Sequence, residues 1–410
     1  MAEKSEKNIL LLCGYFESVY QQEITRKTKT WVENAANTFQ KRLITGLLGN
    51  VKSLNIVSAP FIGPWPKAYT DIVFTKFKSK NPNPEFQIKY LPFNNIWGYR
   101  NISRAKSLKE EVRRFLNNAP EGKKVILVYS PHTPFLEAAV YGKSLDPTVH
   151  ICMIVPDLPQ YMNLSKDWHP IYDFFKSIDI KRFKKLNQQV DSYMVLTEYM
   201  AEELEIGCKP YRVVEGIAMP KVPEECGEKK GKCFAYAGKL MQSFGVKRLL
   251  DAFKALEDED AILDICGGGE LRAYVEQEAI KDSRIRYHGL LSAEEAQEIQ
   301  RQADILINPR INDDEYTKYS FPSKNVEYLQ TGKAVIAYML DGIPEIYRSF
   351  FLVPKDNSVA ALTKTMQIAL LETVEDTRVR TKQAMQYLES RSPNAVGKLL
   401  IDMIEHAENK

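Results

Sequence analysis

The chain has 410 residues, of which 44% are hydrophobic and 27% charged, and its net charge is +3. That is long enough for two cores of ordinary domain size, and the near balance of charge marks an ordinary globular protein and not a nucleic-acid binder. No stretch approaches the roughly 18 apolar residues of a membrane span, the apolar run at 9–13 is too short for a signal segment, and six scattered cysteines, Cys13, Cys152, Cys208, Cys226, Cys233 and Cys266, read as reduced thiols of a cytoplasmic protein.

From the N-terminus, residues 8–13 read as a strand ending at Gly14 and Tyr15. Residues 35–48 read as a helix whose Phe39, Leu43 and Leu47 recur at helical spacing. Further strands are expected at 54–58, 87–91, 125–129, 150–155 and 192–196. Two stretches interleave basic and apolar side chains. Trp65, Tyr69, Phe74 and Phe77 accompany Lys67, Lys76, Lys78 and Lys80; Phe174, Phe175, Ile178, Ile180, Phe183 and Leu186 alternate with Lys176, Lys181, Arg182, Lys184 and Lys185. Such a mixture suits a lipid headgroup surface, where each Lys or Arg contributes roughly 1 kcal/mol against anionic lipid. The alternative is a solvated face over core aromatics. Residues 219–232, rich in Pro, Glu, Lys and Gly, read as a linker.

Beyond the linker, strand, loop and helix repeat. Strands are expected at 234–237, 262–266, 284–288 and 305–308, with an amphipathic helix at 246–256 after Gly245. Another helix opens at Ser292, where Glu295 completes a capping-box pattern. This repetition specifies a parallel doubly wound sheet, and such sheets bind ligands beyond the carboxyl ends of their strands. Gly238, the triple glycine 267–269, the Pro309-Arg310 turn and the 320–324 turn all fall there.

The run SFPSKNVEYLQTGKAVIAY, from Ser320 to Tyr338, is the most informative stretch. Pro322 presets a first helical turn, so backbone donors near Ser323 and Lys324, with the positive helix end, favour a diphosphate, and Lys324 adds a mobile charge. Val326 and Leu329 fit a buried face with Glu327 at its rim, where a carboxylate can bind a ribose diol; the alternative is a solvated Glu on a surface helix. Gly332 ends the helix and 334–337 is a buried strand.

The order GKL...G at 238–245, DICGGGE at 264–270, YHGLLS at 287–292, ADILINP at 303–309, EYLQTGKAVIA at 327–337 and DGIPEI at 341–346 resembles the donor half of retaining family-4 glycosyltransferases of the GT-B fold. The NPR...SFPSK...EYL...G variant resembles the branch found among bacterial capsule, exopolysaccharide and cell-wall polymer enzymes. The resemblance implies an α/β protein of two Rossmann-like doubly wound domains facing each other across a cleft. An acceptor-binding domain would span 1–218, the linker 219–232, a nucleotide-sugar domain 233–385, and a C-terminal helix, 386–410, would pack back toward the first domain. The implied donor-binding set is Gly238, Lys239, Gly268, Arg310, Tyr319, Ser323, Lys324 and Glu327.

Three positions depart from the family pattern, and the glycine-rich first loop is reduced to Gly14. Of the phosphate-binding cation pair, Lys239 is kept and Phe244 replaces the other, leaving Lys247, Arg248, Arg310 and Lys324 as candidates for the missing charge. Of two family glutamates, Glu327 is kept and Tyr319 stands in place of the first, with Glu315 and Lys318 as stand-ins. Where the family has a His at the end of an N-domain strand, VPDLPQYM places Pro156 and Asp157.

Retaining transfer passes through an oxocarbenium-like state while the nucleoside diphosphate leaves, so negative charge on the phosphates must be met. A helix end with Lys or Arg does that, and Asp313-Asp314 lies in a polar loop; the expectation is a metal-independent transferase without a cofactor. Asp157 is the first catalytic candidate, orienting the acceptor hydroxyl or taking its proton; its alternative is a cap before Leu158-Pro159. His132, directly after a strand in YSPHTPF, is the second, against a His bonded to structure. The histidines lack metal-ligand spacing. Expected partners are a nucleotide-sugar, UDP by default with GDP the alternative, and a saccharide or lipid-linked saccharide acceptor. The basic-aromatic segments imply peripheral membrane contact at the inner face of the membrane, and no nucleic-acid partner is expected. Two competing readings share the fold. One is a non-catalytic partner of another glycosyltransferase, favoured by Phe244, Tyr319 and Pro156. The other is a non-hydrolysing sugar-nucleotide epimerase, whose Asp, Glu and His set is not apparent.

Overall fold

The computed structural model describes residues 4–30, 32, 34–75, 77–80, 86–161, 170–219, 232–313 and 315–408. Most of the expected linker 219–232 lies outside them, as do Lys76, Cys226, Asp314 and the side chain of Phe174. The chain divides into two compact units, Met1–Ile217 with Pro393–Lys410, and Ala218–Ser392.

Unit 1 is built from apolar runs that are buried on both sides, as parallel strands with helices over each face must be. In chain order it contains β1 (Ser5–Cys13), α1 (Gln21–Lys27), α2 (Asn34–Asn50), β2 (Val51–Ser58), β3 (Val73–Phe74), β4 (Ile88–Tyr90) and β5 (Phe93–Asn94). It continues with α3 (Arg100–Asn118), β6 (Lys124–Tyr129), α4 (Thr133–Leu145), β7 (His150–Val155), α5 (Pro170–Asn187), β8 (Ser192–Val195), α6 (Glu198–Glu203) and β9 (Tyr211–Val213). The sheet order is β4-β2-β1-β6-β7-β8-β9 and its pairings are parallel. β1 lies inside and the chain winds outward to both edges. β3 and β5 pair antiparallel outside this sheet. Of the basic-aromatic stretches, Tyr69, Phe74, Phe77 and Phe183 belong to the core, whereas Trp65, Phe175 and Ile178 are exposed.

Unit 2 contains β10 (Cys233–Ala237), α7 (Val246–Lys254), β11 (Ile262–Cys266), α8 (Arg272–Lys281), β12 (Ile285–Tyr287), α9 (Ala293–Gln302) and β13 (Ile305–Asn308), then α10 (Ser323–Leu329), β14 (Ala334–Ala337), α11 (Val359–Leu371) and α12 (Val374–Glu389). Its parallel sheet runs β12-β11-β10-β13-β14. Side-chain alternation divides the core. Phe234, Leu263, Ile265, Ile305 and Ile336 pack with Leu249, Phe253 and Met366 of α7 and α11, while Ala235, Leu306, Val335 and Ala337 pack with Val326, Leu329 and Leu388 of α10 and α12. The α9 start carries the capping box, Ser292 with Glu295.

The last helix, α13 (Pro393–Glu408), belongs to unit 1. It crosses α2 where both are reduced to glycine: a Cβ on Gly46 would stand 1.9 Å from Pro393 O, and one on Gly397 would stand 2.3 Å from Gly46 O. Asn50 Nδ2 donates to Asn394 O at 3.0 Å beside this crossing. No described helix is long and apolar enough to cross a membrane.

Candidate functional site

The candidate residues of unit 2 gather at the carboxyl ends of its strands. Gly238 N donates to Cys266 O at 3.0 Å and Leu240 N to Gly268 O at 2.9 Å, so the turns after β10 and β11 are laced together. The Tyr236 hydroxyl donates to Lys239 O at 2.7 Å and closes the first turn; a Cβ on Gly238 would meet that hydroxyl at 2.9 Å. The lacing accounts for two of the three glycines after β11. A Cβ on Gly267 would stand 1.8 Å from Gly238 O, one on Gly269 would stand 2.4 Å from Leu240 O, and both residues have positive φ. Gly268 differs, since a Cβ there would meet only Leu290 Cδ1 at 3.7 Å. The N–H groups of Gly268 and Gly269 have no hydrogen-bond partner among the described residues. Two unpaired backbone donors therefore stand at the uncrowded Gly268 and its neighbour.

A third turn joins these two. Gly245, at φ +75°, has Pro309 O only 2.1 Å from where its Cβ would be, which holds the Pro309-Arg310 turn against the turn after β10. The Arg310 guanidinium lies 5.1 Å from the centroid of Phe244 and 5.5 Å from that of Tyr316. An aromatic face attracts a cation, so Phe244, which removes one charge from the first turn, seats another from the turn after β13. Two of the other candidates for that charge are engaged with different partners. Lys247 sits 5.7 Å over Tyr274, and Lys324 pairs with Glu327 at 2.9 Å.

Burial raises the pKa of both Tyr236 and Cys266, and it is opposed by the charge of Arg310 at the first and of Lys324 at the second. Cations from the β13 turn and from α10 thus act on the ends of β10 and β11. α10 begins at Ser323 with Pro322 at its N-cap, but it has only seven residues. Its dipole is correspondingly short, and side chains carry most of the positive charge here. Lys239 and Ser323 are exposed, and Glu327 is partly exposed beside Lys324. Tyr319 is buried in the turn Glu315–Tyr319 with Lys318 4.9 Å over its ring. Glu315 is itself paired with Lys318 at 3.0 Å, so these two stand-ins are engaged with each other.

Three features have no counterpart in the sequence reading. The buried Tyr328 hydroxyl accepts from Ala237 N at 3.1 Å, tying α10 to the end of β10. Asn308 Nδ2 donates to Asn325 Oδ1 at 2.7 Å, and Asn325 Nδ2 is buried without a partner among the described residues. Asn312 Nδ2 donates to Asp341 Oδ1 at 2.8 Å while Asp341 N donates back at 3.2 Å, joining the loops after β13 and β14. An Asn in a βα loop is a recognisable signal, but its partner is not.

In unit 1, Asp157 is exposed two residues after β7. His132 is the N-cap residue of α4. Its ring packs edge-on to Phe61 and Phe135, at 5.7 and 5.4 Å, and its Nδ1 is buried without a partner among the described residues. Burial, then Arg104 and Arg100, hold its pKa well below the usual imidazole range. It is neutral at pH 7 and a weak base. Gly14 makes no open turn. Its N–H donates to Gln40 Oε1 at 2.8 Å, and the Phe61 ring occupies the space where its Cβ would be, with Cδ2 2.3 Å away. Among the described residues no group of three or more His, Cys, Asp or Glu is arranged to hold a metal ion.

Residues 231–372 match the family model of the glycosyl transferases group 1, so unit 2 carries a glycosyl transferase group 1 domain. No curated protein sequence matches the chain. Among solved structures, the sucrose-phosphate synthase of Thermosynechococcus elongatus is 13% identical, with 97% of this chain and 98% of that one covered at a TM-score of 0.63. The trehalose-6-phosphate protein of E. coli bound with UDP-2-fluoro glucose is 12% identical, with 97% and 99% covered at 0.64. The pneumococcal O-GlcNAc transferase GtfA in complex with UDP and GlcNAc is 14% identical, with 78% and 62% covered at 0.50. At these identities the likeness is one of fold, and the fold is that of the GT-B glycosyltransferases, two Rossmann-like α/β domains with parallel sheets.

Proposed function

We propose that the chain is a retaining glycosyltransferase that binds a nucleotide-sugar, UDP-linked by preference, at the laced turns of unit 2 and passes the sugar to a saccharide or lipid-linked saccharide in polysaccharide or glycoconjugate biosynthesis. The observation that carries this reading is Arg310 held over Phe244 together with the Gly268 and Gly269 N–H groups, unpartnered among the described residues, within the matched domain. A leaving diphosphate needs hydrogen-bond donors and positive charge where its own charge develops. Gly268 and Gly269 N–H, Arg310, Lys239 and Lys324 supply both. Glu327 would exchange its bond to Lys324 for the ribose hydroxyls, freeing Lys324 for phosphate. Asp157 is the residue proposed to orient the acceptor hydroxyl; His132, buried and neutral, has a supporting role only.

The reading takes the enzyme to need neither metal nor cofactor and to work at the cytoplasmic face of a membrane. Titration calorimetry with UDP and GDP tests the donor site. One nucleotide should bind saturably, and Arg310→Ala and Glu327→Ala should each weaken it about tenfold, as loss of a charged hydrogen bond does. Transfer from the matching sugar nucleotide should survive excess EDTA; loss of transfer on chelation, restored by a divalent cation, would remove the metal-independent mechanism. The filled Gly14 turn and the buried Tyr319 favour one second reading, a partner that binds nucleotide without turnover. Binding with no transfer across a panel of acceptors would select it.

A further inference from the structure

A cavity of about 260 Å³ opens in unit 1 between α3, α4 and α5, with Asn101, Ile102, Thr133, Glu137, Asp179 and Arg182 in its wall. Its chemistry is mixed. Asn101 Oδ1 is buried and has no hydrogen-bond partner among the described residues. Asp179 accepts from the Thr133 hydroxyl, and burial nevertheless raises its pKa. Glu137 bridges Lys109 at 2.5 Å and Arg182 at 2.6 Å. Lys106 completes the charged set of the wall, which holds three cations against two carboxylates. A diphosphate would meet two repelling carboxylates there. Sugar hydroxyls, which both donate and accept, match the set.

The same elements carry an apolar surface directly beside the cavity. Ile102 is in its wall, and Tyr99 lies one turn earlier. Trp97 packs edge-on to Phe175 at 5.7 Å, and Ile178 follows Phe175 by one turn on α5, the helix that also supplies Asp179 and Arg182. These five side chains are between 46% and 59% exposed. Apolar groups left contiguous in water mark a binding surface.

We propose that this cavity takes the saccharide head of an amphiphilic acceptor whose hydrocarbon chain lies along Trp97, Tyr99, Ile102, Phe175 and Ile178. The proposal rests on the glycosyltransferase reading and narrows its acceptor to a lipid-linked saccharide. One ligand satisfies both halves, because α3 and α5 each contribute to cavity and surface alike. A membrane alone would use the surface and leave the cavity without a role.

Binding of n-decyl maltoside to the full chain, below its micelle-forming concentration, tests the proposal by calorimetry and tryptophan fluorescence. Maltose and decyl phosphocholine supply the head and the chain separately. Decyl maltoside should bind saturably and at least about tenfold more tightly than either, the worth of burying a few methylenes or pairing the hydroxyls. Ile102→Ser with Phe175→Ser, both at exposed positions, should remove the advantage over maltose, and Asp179→Asn the advantage over decyl phosphocholine. Equal binding of the two amphiphiles, no binding of decyl maltoside, or insensitivity to all three substitutions would overturn it. UDP binding measured on the same proteins separates the outcomes. If it persists while decyl maltoside binding fails, the acceptor site is wrong and the donor reading stands; if it is absent from the wild type, the donor reading itself has failed. Far-UV circular dichroism and an unchanged thermal unfolding profile without nucleotide report that unit 1 is folded in each variant.

Discussion

Three neighbouring glycines separate packing from binding at single-residue resolution. Gly267 has its Cβ position 1.8 Å from a backbone oxygen at φ +140°, so Gly267→Ala must move the turn after β10. Its cost is expected to be on the order of 3 kcal/mol, read as a shifted denaturant midpoint. Gly268→Ala meets only Leu290 Cδ1 at 3.7 Å and should change stability by less than about 0.5 kcal/mol while weakening nucleotide binding. Equal stability losses in both variants would mean that Gly268 is a packing residue too. His132 supplies a pH prediction. Its folded pKa is lowered by burial, so below the ordinary imidazole value the unfolded chain binds a proton that the folded one refuses. Stability is unaffected above about pH 6.5 and falls as pH drops below it, by up to about 1.4 kcal/mol per unit from this group. His132→Phe, between Phe61 and Phe135, should flatten that acid limb in unfolding curves at pH 7, 6 and 5; identical limbs would assign the acid loss to other groups.

At the scale of elements, α10 is held less by its own length than by Tyr328. Tyr328→Phe removes the acceptor of Ala237 N and is expected to cost about 1–3 kcal/mol, with loss of nucleotide binding beyond what stability explains if α10 positions Lys324 and Glu327. Calorimetric Tm and UDP affinity, measured together, decide. These elements differ in how well the sequence announces them. Strands 150–155, 262–266, 305–308 and 334–337 agree with β7, β11, β13 and β14 to the residue, because the first three are short apolar runs closed by Pro156, Gly267 and Pro309 and the last opens directly after Gly332-Lys333. The capping box at Ser292 is equally local. β3 and β5 escape because two-residue strands carry no period, and α3 escapes behind its many charges, although Leu108, Val112 and Phe115 form its buried stripe. The candidate site is legible to the same degree. The glycines and Glu327 stand in recognisable strings, whereas the seat of Arg310 over Phe244, the cover of Phe61 over Gly14 and the cavity of α3, α4 and α5 join residues remote in sequence, and no local pattern encodes them.

For the whole molecule, a nucleotide that binds only folded unit 2 must stabilise that unit. At a concentration 100 times its Kd the gain is about 2.7 kcal/mol, visible as a calorimetric transition that moves with UDP and moves about half as far in the Arg310→Ala protein, where tenfold weaker binding leaves about 1.4 kcal/mol. A UDP shift of the same size in Arg310→Ala would place the nucleotide elsewhere. The crossing of Gly46 and Gly397 reaches further, into synthesis. A growing chain makes β1 to β9 first, then all of unit 2, and only afterwards the helix that covers α2. Domains that are continuous in sequence fold as they emerge. Here the half translated first must wait with an uncovered helix face while the half translated second is completed, so the order of folding runs opposite to the order of translation.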